Sequence, residues 1–115
     1  LYRKSSFLVD ALGKAVFAKG VSIEERPHER RALASSPFDD EGVATRERTV
    51  VRNGVLEGYF LGSYSARKLG LKSTGSAGGN HNLVVRSEPT DLRGMLKRLH
   101  RGLFVTEVLG HGDDA

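Results

Sequence analysis

Asn53 and Gly54 stand between two β-rich runs, TRERTVVR and VLEGYFL, and they constrain the fold more than any other local feature of this chain. Both residues accept the positive φ that a two-residue type I′ turn demands, and the twist of that turn matches the twist of paired strands. The expectation is a β-hairpin over residues 45–61. Setting Arg52 opposite Val55 puts Thr49, Val51, Leu56, Gly58 and Phe60 on one face. Arg46, Arg48, Val50, Arg52, Val55, Glu57, Tyr59 and Leu61 then share the other. The first face is the better core candidate, because fewer of its side chains are charged.

Around the hairpin the punctuation is dense. Ser5 or Ser6 can cap a short helix whose Phe7, Leu8, Ala11 and Leu12 fall on one side, with Gly13 ending it. Residues 16–40 mix Val, Ile and Phe with Pro27, Pro37 and many charges, which reads as extended segments and loops. Phe38, Asp39, Asp40, Glu41 and Gly42 make a compact acidic turn. A strand is expected over residues 82–85. A helix should start at Thr90 or Asp91, with Leu92, Met95, Leu96 and Leu99 as its apolar side, and stop at Gly102 before a strand over residues 103–109. The class that follows is α+β: a mostly antiparallel β-sheet with a β-hairpin and about three short helices, part of a larger domain.

The third of those helices opens the segment 63–82, SYSARKLGLKSTGSAGGNHN. Ser65 is placed to accept first-turn amides, Ala66 to Leu69 form a helical turn, and Gly70 occupies the position where a left-handed C-cap favours glycine. From Ser73 through Thr74, Gly75, Ser76, Ala77, Gly78 and Gly79 the chain carries almost no side-chain bulk. Main-chain amides in such a stretch can approach a partner strand, a peptide or an anion closely, or the stretch can be a plain connector.

Several function classes find no support. The arrangement around Gly70, Leu71, Lys72 and Ser73 is not a phosphate loop, since no glycine directly precedes the lysine and the glycines follow it. His28 begins HERRA, with no second histidine at the spacing a zinc helix needs, and reads as a surface residue. His81 borders the small-residue loop and is a site candidate, although Asn80, His81 and Asn82 can equally turn the chain into the next strand. His100 lies at the basic end of the last helix, where a cation suits the dipole, and His111 between two glycines; neither has a partner in sequence. Asp39, Asp40 and Glu41 can hold a hard cation or act as acid and base, but a structural role paired with nearby arginines is the expectation. No serine has a histidine and carboxylate at a recognisable spacing for a hydrolytic triad.

The balance of 18 basic against 14 acidic residues gives a net charge of +4, scattered along the chain rather than gathered into a patch, so nucleic acid is not the expected partner. There is no cysteine, which excludes disulfides and thiolate ligands in these residues and suits a reducing cytoplasm. No run approaches the roughly 18 apolar residues of a membrane helix.

The segment SYSARKLGLKSTGSAGG followed by HN resembles the PmbA/TldE subunits of the TldD/PmbA metallopeptidase family, also known as modulators of DNA gyrase. LYRKSSFLVDALGK at 1–14, SIEERPH at 22–28, LASSPFDDEGV at 33–43 and GLFVTEVLGHG at 102–112 resemble other segments of that subunit in the same order, so the likeness covers nearly the whole chain. It implies a partial C-terminal-half domain of a longer cytoplasmic protein, at residues 1–115. The chain begins at Leu1 and stops at Ala115 after an apolar run, and a piece of this kind is expected to leave strand edges and apolar faces for neighbours to cover.

The resemblance further implies a heterodimer in which a TldD-like catalytic subunit carries an HExxxH zinc helix, while the PmbA/TldE-like subunit lacks functional zinc ligands and helps enclose the chamber. No catalytic or metal-binding residue is therefore expected here, and zinc is expected in the partner subunit. Thr74, Gly75, Gly78, Gly79 and His81 are the expected contacts with the partner or with an unfolded or extended peptide. The family's link to peptide-antibiotic maturation and antitoxin degradation sets the substrate class. The alternatives are a peptide-binding regulatory module without proteolysis, and a self-sufficient metalloprotease with its zinc motif upstream of Leu1.

Overall fold

The hairpin turn forms where the sequence places it, with Asn53 at φ +49° and Gly54 at φ +84°. The computed structural model describes residue 3 and residues 6–107. The hairpin strands are β2 (Arg48–Arg52) and β3 (Val55–Leu56), paired with Arg52 opposite Val55 and Val51 opposite Leu56. β1 (Ser22–Glu25) lies antiparallel to β2 on its other side, and β4 (Leu83–Arg86) pairs antiparallel with β1. The result is a four-stranded antiparallel sheet of order β3-β2-β1-β4. Residues 13–17 run along the outer side of β3, with main-chain bonds from Gly13 to Leu56 and from Leu56 to Lys14.

The expected face assignment fails in two places: beside β1 the register slips between the pairs Ile23–Val51 and Glu24–Thr49, so Val50, assigned to the outer face, is buried together with Val51, and a second irregularity follows Leu56. Glu57 and Gly58 both direct their amides at the single carbonyl of Val50, at 2.8 and 3.3 Å, so the chain gains a residue there and its side chains exchange sides. Tyr59 and Leu61 consequently enter the core and Phe60 is left 38% exposed, the reverse of the strict alternation read from sequence. The core is small: Ala11, Val50, Val51, Leu56, Tyr59, Leu61 and Ala66, with Leu8, Val16, Ile23 and Leu69 packed against it. Val51, 1% exposed on the central strand, gains about 1.5–3 kcal/mol from burial.

Two helices form among the described residues. The first, α1 (Ser63–Lys68), is capped by Gly62 rather than Ser65, whose hydroxyl donates back to the Gly62 carbonyl at 3.1 Å. Glu41 supplies the acceptor that Ser65 does not, taking the Ser63 amide at 2.8 Å. At the other end Gly70, at φ +67°, donates to Arg67 O and Leu71 donates to Ala66 O, the paired bonds of a Schellman stop. The second helix, α2 (Leu92–Leu99), is capped by the Asp91 carboxylate, which accepts from the Gly94 amide at 2.8 Å. Its apolar side carries Leu92, Met95, Leu96 and Leu99, none of them buried.

The helix expected after Ser5 or Ser6 does not form. Residues 6–14 make successive tight turns, because Asp10 takes the left-handed conformation at φ +59° and breaks the helical path. Tyr59 holds this coil in place, its hydroxyl donating to Leu8 O at 2.6 Å and accepting from Ala11 N at 3.1 Å. Residues 103–107 are not a strand, and the remainder of the strand expected over 103–109 lies outside the described residues, as does His111.

Candidate functional site

Leaving α1, residues 73–82 return to the sheet, and their small side chains fasten the main chain. Thr74 pairs with Leu61 like a strand neighbour: its amide donates to Leu61 O at 3.0 Å and its hydroxyl accepts from Leu61 N at 2.7 Å. Next to it Gly75 is buried at φ +70°, and a Cβ there would come 2.9 Å from the Ala44 carbonyl oxygen. The buried hydroxyl of Ser76 lies 3.1 Å from that of Thr74 and accepts from Arg48 Nη2 at 3.4 Å. At the far end the His81 amide donates to Glu25 Oε1 at 2.9 Å, and the ring Nδ1 lies 3.3 Å from the same oxygen.

Glu25 is 2% exposed, and a carboxylate so placed requires a cation. Arg48 provides it, with Nε 2.7 Å from Oε2. The same guanidinium donates to Tyr59 O at 2.8 Å and stacks 5.0 Å from the centre of the Phe60 ring.

The acidic turn meets this loop from the opposite side. Asp39 Oδ1 accepts from Glu41 N and Val43 N at 3.0 and 2.9 Å, and Oδ2 accepts from Ala77 N at 3.0 Å. Burial pushes the Asp39 carboxyl up, but the amides of Ala77, Val43 and Glu41, with a smaller contribution from His81, outweigh it and hold the group below the usual aspartate value. The expected arginine mates are thus replaced by main-chain amides. The reason is geometric: a tight turn aims its own N–H groups at the carboxylate that opens it.

Between these anchors Gly78, Gly79 and Asn80 are exposed. The Asp40 carboxylate lies so close over Gly78 that any Cβ there would displace it. A shallow pocket of about 130 Å³ opens beside this rim, lined by Phe38, Asp39, Asp40, Gly78, Gly79 and His81 among others. Of the expected contact residues, then, Gly78, Gly79 and His81 border the pocket, while Thr74 and Gly75 lie underneath and shape the loop. Among the described residues no group of three or more His, Asp or Glu side chains is placed to hold a metal ion. His28 is exposed, with Nε2 3.1 Å from Thr45 Oγ1.

The model of the PmbA/TldA metallopeptidase C-terminal domain matches residues 1–115. The chain belongs to this family. A metalloprotease PmbA homolog of Haemophilus influenzae is 54% identical over 97% of the chain, and the metalloprotease PmbA of Escherichia coli O157:H7 is 50% identical over all of it. The chain spans about a quarter of the length of these curated relatives. A crystal structure of a candidate modulator of DNA gyrase from Bacteroides thetaiotaomicron superposes with a TM-score of 0.80 at 30% identity, covering 98% of this chain and 26% of that one. TldE from Thermococcus kodakarensis shares the fold, at a TM-score of 0.64 and 24% identity over 82% of this chain and 24% of its own.

For this member of the PmbA/TldA family, two residues of the site had no local signal in the sequence. Glu25 and Arg48 come from different strands, and their contacts with His81 and Ser76 span 56 and 28 residues. Both stand among other charges, Glu25 between Glu24 and Arg26 and Arg48 after Arg46 and Glu47, so nothing sets them apart from surface charges until the pairing is known. Among the described residues no helix is long and apolar enough to cross a membrane.

Proposed function

We propose that this chain is part of the C-terminal half of a non-catalytic subunit in a cytoplasmic, heterodimeric TldD/TldE-type zinc metalloprotease that cleaves unfolded or extended peptides. Zinc is held by the TldD-like partner, and Gly78, Gly79 and His81 meet that partner or the peptide. The observation that carries this reading is the exposed glycine rim on an anchored base: it offers main-chain groups in a fixed shape, which suits recognition of extended chains with little sequence preference. Protein partners fit better than nucleic acid, because Arg26, Arg48, Arg52, Arg86 and Arg98 are each engaged by a carboxylate. Maturation of peptide antibiotics and degradation of antitoxins are the physiological settings the family resemblance supports.

The test is hydrolysis of an unstructured peptide by the full-length protein, alone and mixed with a TldD-like subunit, with and without a chelator. Chelator-sensitive cleavage in the mixture alone is the expected result. Cleavage by the full-length protein alone would transfer the zinc site to its own upstream sequence, and no cleavage in the mixture would leave a regulatory peptide-binding role.

A further inference from the structure

We propose that Glu25 and Arg48 are positioning residues for the exposed turn 77–80; the functional consequence rests on the reading above. One ion pair, a buried Glu25 and a half-buried Arg48, holds that turn at both ends. Its C-terminal end is fixed where Glu25 Oε1 receives the His81 amide at 2.9 Å, and its N-terminal end where Arg48 Nη2 reaches the Ser76 hydroxyl at 3.4 Å. The 2.7 Å bridge from Arg48 Nε to Glu25 Oε2 joins the two ends. Asp39 adds a third tie through the Ala77 amide.

Apolar residues of similar volume would fill the space between β1 and β2 at comparable stability, since desolvating two charges offsets much of their attraction. They would lack direction. A carboxylate accepts from His81 N and from Arg48 at once, and a guanidinium donates along fixed lines to Glu25, Tyr59 O and Ser76 Oγ. The pair therefore specifies the shape of the loop more than it adds to stability. A turn held in shape binds a peptide or a partner surface without first losing its own conformational entropy.

The experiment uses the full-length protein and the double variant Glu25→Leu/Arg48→Met, which replaces the ion pair by apolar side chains, leaves no acceptor for the His81 amide and strands no buried charge. Amide exchange at Ala77, Gly79 and His81, the hydrogen-bonded amides of the turn, should accelerate by roughly ten- to a hundredfold, the factor expected for losing one or two charge-assisted hydrogen bonds. Exchange in β1 and β2 should stay at the wild-type rate. With a TldD-like subunit present, either KM for an unstructured peptide or the Kd between the subunits should rise while kcat of the assembled mixture is retained. Unchanged exchange in the turn, or acceleration spread evenly over the sheet, overturns the assignment, and so does local acceleration with both KM and the subunit Kd unaltered. If the wild-type mixture cleaves nothing, the reading as a protease subunit falls, and the exchange data alone decide whether Glu25 and Arg48 set the turn.

Discussion

Replacing Gly75 and Gly70 by alanine, one at a time, separates two costs that the loop's backbone imposes. Both glycines are left-handed, at φ +70° and φ +67°, so each alanine meets the same strain of about 1–2 kcal/mol. The surroundings differ. A Cβ at Gly70 meets nothing within 4 Å, whereas one at Gly75 would sit 2.9 Å from Ala44 O and 3.4 Å from Thr45 Cα, both main-chain atoms. Main chain cannot swing aside as a side-chain tip can, so relieving that contact adds about 1–3 kcal/mol, the range for overpacked sites. Gly75→Ala should therefore cost about 2–5 kcal/mol against about 1–2 kcal/mol for Gly70→Ala. Urea unfolding of the full-length protein followed by circular dichroism measures the totals, and hydrogen exchange at the Thr74 and Ser76 amides localises them. Equal destabilisation by the two variants would refute the claim that the loop is packed directly on residues 44–45.

Three further expectations follow from the same contacts. The carboxyl of Asp39 is depressed in the folded state, so its stabilisation is present above the unfolded aspartate value and lost as pH falls through the folded one; Asp39→Asn should accordingly flatten the acid limb of the stability profile, measured by denaturant midpoints between neutral and acidic pH. Tyr59→Phe removes the acceptor of the Ala11 amide and the donor to Leu8 O, and should cost about 1–3 kcal/mol with faster exchange at Ala11. Valine at both Gly78 and Gly79 should impair peptide turnover by the mixed subunits or their association, with circular dichroism unchanged; full activity of that variant would remove the rim from the site.

Local chemistry made the hairpin turn, its register up to Leu56, the α2 cap at Asp91 and the glycine stop at Gly70 readable, because each is decided within a few residues by φ preference or a short side-chain acceptor. The likeness to the PmbA/TldE segments was readable for the same reason, being carried by residue identities in order. The absent first helix was not, since Phe7, Leu8, Ala11 and Leu12 have helical spacing while Tyr59, nearly fifty residues on, binds the backbone in a turn instead. The exchange of Tyr59 and Phe60 between core and surface depends on two amides sharing the Val50 carbonyl, which alternation rules do not anticipate.

By itself the sequence determined the small-residue character of the loop and the elements on either side of it. Only the tertiary structure decided that Thr74 and Gly75 lie beneath the rim while Gly78, Gly79 and His81 border the pocket, and that Glu25 and Arg48 hold the loop's two ends. The physical reason is that hydrogen bonds and ion pairs become directional constraints only after β-pairing has brought residues far apart in sequence within about 3 Å of one another.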